Sequence, residues 1–195
     1  MTTPVVAVIL AGGQGRRMGG IDKAMVPLAG QALIAHVFSR VVPQVAAVAI
    51  SANGDATRFA AFGVPVLADA PPMPPGRFAG PLAGLLAGAR WALDAHPGAL
   101  LLSVPCDVPL LPRDLVARLA AASLPCCAAS FGRLHPLVAL WRPAALVVPT
   151  TAGGSARALL AALGGSSVEW AGPDDPFLNV NDPATLAAAL HRPDG

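Results

Sequence analysis

The chain has 195 residues, about the length of one domain, and a folded domain of that size buries on the order of 70% of the surface of its unfolded chain. Charged residues make up only 12% of the chain and apolar residues 54%, which excludes an intrinsically disordered protein and favours one domain over residues 1–195. The formal net charge is +2 and no basic run is interleaved with aromatic residues, so nucleic acid is not an expected partner.

Strand and helix signals alternate along the chain. The first is a β-branched apolar run at residues 5–10 that ends at a glycine pair, which is typical of a central parallel strand delivering a loop at its carboxyl end. Further strands are predicted at residues 45–51, 64–67, 99–104, 126–131, 137–141 and 168–170. Helices are predicted at residues 33–42, 57–62, 82–96, 113–122 and 184–191, and a less regular helical stretch is interrupted at Gly153-Gly154. Asp182-Pro183 marks the start of the last helix.

This alternation predicts an α/β fold, a three-layer α/β/α sandwich around a mostly parallel, Rossmann-like sheet. In such sheets ligands bind beyond the carboxyl ends of the strands. We therefore expect the loops at residues 11–23, 51–54, 68–81 and 105–111 to converge on one site.

The three cysteines bear on the cellular compartment. Cys106, Cys126 and Cys127 cannot all pair within one chain, and two adjacent cysteines make a poor disulfide framework. No apolar stretch reaches about 18 residues, and the N-terminus lacks a positively charged leader pattern. We expect a soluble cytoplasmic protein with no membrane partner.

A glycine-rich basic loop at residues 10–23 is the strongest functional signal. It ends at Lys23, the single lysine of a chain that otherwise uses arginine, where a compact point charge is expected. The loop is expected to bind a polyphosphate through its clustered backbone N–H groups, Arg16-Arg17 and Lys23. Met18 stands where a dinucleotide fingerprint needs its third glycine, and Lys23 lacks the flanking residues of a Walker A loop.

Five segments in order carry a family resemblance. The first segment is the glycine-rich loop, with Leu10-Ala11-Gly12-Gly13 followed by Arg17-Met18-Gly19 and Lys23. The other four are Gly80-Pro81-Leu82-Ala83-Gly84, Cys106-Asp107-Val108-Pro109, Arg133-Leu134-His135-Pro136 and Asn179-Val180-Asn181-Asp182-Pro183. In these segments the chain resembles the molybdenum cofactor guanylyltransferases, within the nucleotidyltransferase superfamily whose fold is of the nucleotide-diphospho-sugar transferase type. The resemblance implies transfer of GMP from GTP to molybdenum-loaded molybdopterin, release of diphosphate, and a requirement for Mg²⁺.

The candidate catalytic residues are Lys23, Asp107 and Arg16. Asp107 follows a buried strand, so its carboxylate is expected at the rim of the sheet as the Mg²⁺ ligand, since Mg²⁺ usually binds one or two protein carboxylates besides phosphates and waters. Lys23 and Arg16 would neutralise the phosphates that leave as diphosphate, and glycines of the loop, Gly12 and Gly13 among them, would let the backbone approach the nucleotide. The attacking phosphate of the acceptor is already ionised, so no general base is required.

The resemblance also implies a nucleotide-binding set. Leu10, Ala11 and Gly12 would contact the purine, Gly80 would lie in the nucleotide site, and Asp69 would take the guanosine position. A carboxylate there accepts hydrogen bonds from guanine N1–H and the 2-amino group, which adenine cannot offer together. Ser51 and Asn53 end the second predicted strand, and Ser51 departs from the asparagine usual in the family.

Residues of the last two segments, together with Arg157, are assigned to the acceptor side of the cleft. Arginine binds phosphate through two parallel hydrogen bonds, which favours contacts of the pterin phosphate with basic side chains. The assigned residues are Arg133, His135, Arg157, Asn179 and Asn181.

Three functions stay open at this point. The first is guanylyl transfer to molybdopterin, with GTP and molybdopterin as partners and transient contact with other cofactor-biosynthesis proteins or recipient molybdoenzymes. The second is cytidylyl transfer to molybdopterin or nucleotidylyl transfer to a sugar phosphate, which use similar glycine-rich loops. The third is a non-catalytic nucleotide-binding or delivery module, which needs no metal-placing carboxylate such as Asp107 beside Lys23.

Overall fold

The computed structural model describes residues 3–12, 22–69, 80–147 and 154–181, together with residues 185 and 189. Within these ranges the strands are β1 Val5–Leu10, β2 Pro27–Leu28, β3 Gln31–Ala32, β4 Ala47–Ser51, β5 Val66–Leu67, β6 Leu100–Pro105, β7 Cys126–Ser130, β8 Arg133–Trp141 and β9 Ser166–Glu169. The helices are α1 Leu33–Val41, α2 Pro81–Ala95, α3 Leu115–Ala120, α4 Pro143–Val147 and α5 Ala156–Ala162. Short 3-10 helices lie at Lys23–Met25, Val42–Gln44 and Ala56–Phe62.

Seven of the described strands form one sheet in the order β5-β4-β1-β6-β8-β7-β9. Strands β5, β4, β1 and β6 pair in parallel, β7 pairs in parallel with β9, and β8 runs antiparallel to both of its neighbours. The prediction of an α/β fold with a mostly parallel sheet is therefore confirmed.

Helices cover both faces of the sheet. Because successive strand residues point to opposite faces, Val5, Ala7 and Ile9 of β1 pack in one apolar cluster and the alternating Val6, Val8 and Leu10 in the other. The first cluster also contains residues of α1 and α3, and the second contains residues of α2, α4 and α5. This is the predicted three-layer arrangement.

Two helical glycines bring α2 close to the sheet. A Cβ atom at Gly84 would lie 2.6 Å from Ser51 Oγ, and one at Gly88 would lie 2.7 Å from Val8 Cγ1. Glycines four residues apart lie on the same helix face. The face of α2 that contains them therefore rests almost directly on β1 and β4.

Several element boundaries differ from the sequence prediction. The 3-10 helix with Pro43 delays the second strand to Ala47, and the predicted helix at 57–62 is a 3-10 helix. Strand β8 begins at Arg133 rather than at residue 137, because its first residues pair with β7 beyond an irregularity at Cys127/Ala128. The β2–β3 hairpin was not predicted; Ala29 and Gly30 form its turn with φ of 49° and 80°.

The predicted last helix is described only at two positions. Residues 185 and 189 are helical, as predicted, while the cap at Asp182-Pro183 lies outside the described residues. Within the described ranges, none of the helices combines the length and the apolar character required to cross a membrane.

Candidate nucleotide site

The strand register brings the predicted loops to one edge of the sheet. Leu10, the last residue of β1, pairs with Ser51 on one side and with Pro105 on the other. Ser51 in turn pairs with Leu67. The residues that follow these four strand ends, which include Gly12, Asn53, Asp69 and Asp107, therefore meet at the same edge.

Lys23, Asp107 and Asn181 form a polar cluster at this edge. The Lys23 ammonium donates hydrogen bonds to Asp107 Oδ2 and to Asn181 Oδ1. Asp22 caps the 3-10 helix that starts at Lys23, with its Oδ1 accepting from Ala24 N at 3.2 Å. Val180 N donates to the Asp107 carbonyl at 2.9 Å, which brings the C-terminal segment over the end of β6. Two predicted catalytic residues, far apart in sequence, are thus in direct contact.

The second carboxylate oxygen of Asp107 tests whether the residues of this cluster fit a metal ion. Asp107 is 9% exposed, and its Oδ1 is buried without a hydrogen-bond partner among the described residues. A buried acceptor left unpaired costs about 1–3 kcal/mol, and more when it is charged. A hard cation at this oxygen would remove that cost, so the donor chemistry fits Mg²⁺. Within the described ranges, no group of three or more His, Cys, Asp or Glu side chains is placed to hold a metal.

Asp69 is the centre of a second polar cluster. Its Oδ1 accepts from Ser51 Oγ at 2.9 Å and its Oδ2 accepts from Asn53 Nδ2 at 2.6 Å, while its backbone N–H donates to Asn53 Oδ1 at 3.2 Å. A Cβ atom at Gly12 would lie 3.1 Å from Asp69 Oδ1. The purine-side residues predicted from separate loops are therefore brought together. Ser51 is fully buried, so its hydroxyl holds Asp69 from the protein interior.

Sequence reasoning missed Arg58, which lies between the two clusters. Its Nε lies 2.9 Å from Asp22 Oδ2, and its Nη2 donates to the Asn53 carbonyl at 2.9 Å. One guanidinium thus connects the segment before Lys23 with the strand end beside Asp69. No local pattern marks Arg58, because its role depends on Asp22, which lies 36 residues earlier in the sequence.

The predicted acceptor residues are only partly brought together. His135 is half-buried, its Nε2 lies 2.8 Å from Ser130 Oγ, and its ring packs against Phe177 with centroids 4.9 Å apart. Asn181 joins the Lys23 cluster. The remaining three, Arg133, Arg157 and Asn179, are exposed, and no hydrogen bond links them to the Lys23 cluster among the described residues.

Some predicted residues contribute through the backbone or lie outside the described ranges. Leu10 and Ala11 are buried, with Ala11 N donating to the Ser51 carbonyl at 2.8 Å. Gly80 caps α2 with φ 70° and ψ −141°, a conformation that requires glycine. Gly13 and Arg16 lie outside the described residues, as do residues 70–79 of the loop at 68–81 that is predicted to converge on the site.

Cys106 precedes Asp107 but is not suited to be a nucleophile. Burial, reinforced by the neighbouring Asp107 carboxylate, raises the pKa of the Cys106 thiol to about 12. The thiol is therefore protonated at neutral pH, and the reactive species of cysteine is the thiolate. Cys106 instead packs in the apolar cluster that contains residues of α1 and α3.

Similarity to known proteins shows that the chain is a nucleotidyltransferase. Residues 7–167 match the family model described as a MobA-like NTP transferase domain. The chain is 50% identical over 192 residues to the molybdenum cofactor guanylyltransferase of Acidiphilium cryptum, covering 94% of this chain and 92% of the relative. It is 48% identical to that of Rhodobacter capsulatus, covering 96% of each chain.

Among solved structures, Rv0371c from Mycobacterium tuberculosis superposes with a TM-score of 0.72 at 15% identity, covering 98% of this chain and all of that one. A molybdopterin-guanine dinucleotide biosynthesis protein A from Archaeoglobus fulgidus gives a TM-score of 0.63 at 21% identity, covering 95% and 96%. These two likenesses show the shared fold. The chain belongs to the MobA-like NTP transferases, and within them to the molybdenum cofactor guanylyltransferases.

Proposed function

We propose that the chain transfers GMP from GTP to molybdenum-loaded molybdopterin, giving molybdopterin guanine dinucleotide and diphosphate. The observation that carries the proposal is the Asp107 carboxylate, one oxygen of which accepts from Lys23 while the other is buried and has no hydrogen-bond partner among the residues that the structure describes. The oxygen that accepts from Lys23 positions the ammonium group to bind the phosphates of the nucleotide. The other oxygen can bind a metal ion. A module that only binds nucleotide has no need for this pair.

Lys23 is proposed to stabilise the charge of the phosphates that leave as diphosphate. Its side chain is 22% exposed, and its ammonium is held by Asp107 and Asn181 at the sheet edge. Nucleotidyl transfer needs positioning and charge stabilisation rather than a covalent intermediate on the protein. The acceptor phosphate, with a second pKa of about 6, supplies an ionised nucleophile without a protein base. Arg16, as predicted, would add a second cation to the same phosphates.

Mg²⁺ is the proposed cofactor, and Asp107 is the residue that would hold it. When bound, the ion supplies positive charge to the phosphate oxygens that gain negative charge during transfer. Asp107 fits a site completed by substrate phosphates and water, because Mg²⁺ binding commonly uses only one or two protein carboxylates.

Asp69 is proposed to select guanine. Ser51 and Asn53 each donate to a different Asp69 oxygen, which fixes the plane of the carboxylate. A carboxylate oxygen has two lone pairs, so each one retains a position for a guanine N–H donor. Adenine offers no such pair of donors and would leave a carboxylate oxygen without its partner.

The proposal includes GTP and molybdopterin as partners, transient contact with other cofactor-biosynthesis proteins or recipient molybdoenzymes, and a cytoplasmic location. Cys106, Cys126 and Cys127 are all unpaired, which is the usual state of cysteines in a reducing compartment and supports the proposed location.

The decisive experiment combines nucleotide titration with a transfer assay. The purified protein is titrated calorimetrically with the magnesium salts of GTP, ATP and CTP, and diphosphate release is then measured with molybdopterin and molybdate. We expect GTP-selective binding that weakens in Lys23→Ala, and release that requires GTP, acceptor and Mg²⁺ together. In Asp107→Asn, where the amide oxygen still accepts from Lys23, binding should persist while release falls at least 100-fold, since a metal ligand is lost.

Each outcome bears on a separate part of the proposal. Selective binding of CTP would transfer the assignment to cytidylyl transfer, and nucleotide binding without diphosphate release would favour a binding module. Full release by Asp107→Asn would contradict the metal-binding role of Asp107.

A further inference from the structure

The buried hydroxyl of Ser130 connects His135 to the carboxylate of Asp175, a residue that was not among the candidates from the sequence. Ser130, the last residue of β7, is fully buried, and its Oγ lies 2.7 Å from Asp175 Oδ1 and 2.8 Å from His135 Nε2. Asp175 Oδ1 also accepts from Phe177 N at 2.9 Å. Three polar side chains from different elements thus form one chain of hydrogen bonds.

The direction of these hydrogen bonds follows from the number of protons available. An ionised carboxylate only accepts hydrogen bonds, so Ser130 must give its single hydroxyl proton to Asp175. The Ser130 oxygen can then only accept from His135, and Nε2 must therefore carry a hydrogen. The arrangement selects one of the two imidazole tautomers, the one in which Nδ1 has the free lone pair.

The surroundings favour the neutral form of this imidazole and restrict its orientation. Burial lowers the pKa of His135 below its ordinary value; Arg133 acts in the same direction, while Asp175 and Glu169 oppose it. The Phe177 ring packs against the imidazole at an interplanar angle of 41°. Among the described residues, nothing forms a hydrogen bond with Nδ1.

The same C-terminal segment connects His135 to the phosphate site. Asp175 and Phe177 contact Ser130 and His135, while Val180 and Asn181 contact Asp107 and Lys23. Val180 lies three positions after Phe177 in the sequence, a span of at most about 11 Å. A substrate extending from the phosphates along the sheet edge would therefore reach the imidazole.

We propose that Ser130 and Asp175 are positioning residues that hold His135 in its Nε2–H tautomer, so that Nδ1 accepts a hydrogen bond from an N–H donor of the acceptor substrate. The inference rests on the proposed function and deepens it. The chemical class recognised is a neutral heterocycle with ring N–H or amino groups, such as a pterin. An imidazole with a free lone pair favours N–H donors over phosphate oxygens, so His135 contacts the ring of the acceptor and not its phosphate.

Two substitutions of His135 separate this role from a structural one. In His135→Gln the side-chain amide can still donate to Ser130 in place of Nε2–H, but the acceptor at Nδ1 is lost. In His135→Asn the amide oxygen lies near the position of Nδ1, but the contact with Ser130 is lost. His36→Gln is the matched control, because His36 is also half-buried and its Nε2 lies 2.8 Å from the carbonyl of Leu28. Leu28 belongs to the separate β2–β3 sheet and not to the sheet that contains β8.

The experiment measures the tautomer, acceptor binding and turnover separately. Nitrogen-15 NMR of the wild-type protein should show His135 protonated at Nε2, and Ser130→Ala should lose this single tautomer. Equilibrium titration with molybdopterin should give about 10-fold weaker binding for His135→Gln, as expected for one lost hydrogen bond, and a smaller loss for His135→Asn. GTP affinity should not change in either variant, and His36→Gln should match the wild type in every measurement.

Two results would overturn the inference: His135 protonated at Nδ1 in the wild type, or unchanged molybdopterin affinity in a folded His135→Gln variant. Failure of the proposed function would be recognised differently, as a wild-type protein that binds molybdopterin and GTP but releases no diphosphate. The NMR and binding measurements do not depend on turnover, so they decide the role of His135 in that case as well.

Discussion

Replacing Asp69 with asparagine changes one oxygen into an NH₂ group while keeping the size of the side chain. In the structure, Asn53 Nδ2 donates to Asp69 Oδ2 and Ser51 Oγ donates to Oδ1. The new amide must direct its oxygen to Asn53, since two NH₂ groups cannot bond each other, and its NH₂ group then faces Ser51, whose hydroxyl can accept. The variant should therefore keep its internal contacts and present a donor where guanine also brings a donor.

The size of the effect follows from the hydrogen bonds exchanged. Asp69→Asn removes one of the two proposed bonds from guanine to the carboxylate, and a hydrogen bond to a charged group contributes about 1.5–3 kcal/mol. At about 1.4 kcal/mol for each tenfold change, GTP should bind roughly 10- to 100-fold more weakly. ATP forms neither of these bonds with the wild-type protein, so its affinity should change little and the preference for guanine should fall by the same factor.

Calorimetric titration of the wild type and the variant with the magnesium salts of both nucleotides tests this reasoning. Asp55→Asn is a suitable control, since Asp55 is an exposed N-cap on the neighbouring 3-10 helix and asparagine caps equally well. GTP affinity within twofold of the wild type in a folded Asp69→Asn protein would refute the assignment of Asp69 to guanine.

Three further predictions concern stability and reactivity. Gly88→Ala should lower the free energy of unfolding by about 1–2 kcal/mol in a denaturant titration, because its Cβ would lie 2.7 Å from Val8 Cγ1; an unchanged midpoint would show that α2 can shift. Phe131→Asn should raise the free energy of unfolding by about 1 kcal/mol, because Phe131 is 60% exposed and has a φ of 49° in a tight hairpin, a conformation that favours asparagine. A lower melting temperature of the variant would contradict this prediction. Burial raises the pKa of Cys106 to about 12 and of Cys127 to about 11, so iodoacetamide at pH 8 should label these thiols only after unfolding; rapid labelling of the native protein, read by mass spectrometry, would argue against their burial.

Local sequence patterns were sufficient to predict most of the sheet and its helices. The apolar run of β1 was located to the residue, and α2 was located to within one residue at each end, because continuous apolar runs and helix-forming stretches mark such elements directly. The β2–β3 hairpin was missed because its strands have two residues each and its turn has alanine where asparagine or glycine is usual.

The candidate site was predictable to the extent that it follows from topology. Lys23 and Asp107 are 84 residues apart, yet both follow strands whose carboxyl ends meet at one edge, so their proximity followed from the strand assignment. The contact of Lys23 with Asn181, across 158 residues, was expected only as membership of the same cleft. Arg58, Ser130 and Asp175 were not identified at all, since their importance lies in which atoms they meet.

The sequence by itself determined the fold class, the proposed phosphate-binding loop and the two charged residues Lys23 and Asp107 of the candidate site, because strand periodicity and loop chemistry are local properties. Only the tertiary structure decided how those groups are oriented: which oxygen of Asp107 has no hydrogen-bond partner among the described residues, which donors hold Asp69, and which nitrogen of His135 faces Ser130. The physical reason is that hydrogen bonds form and break over tenths of an ångström and tens of degrees. That accuracy arises from packing among distant segments and is not contained in any single stretch of residues.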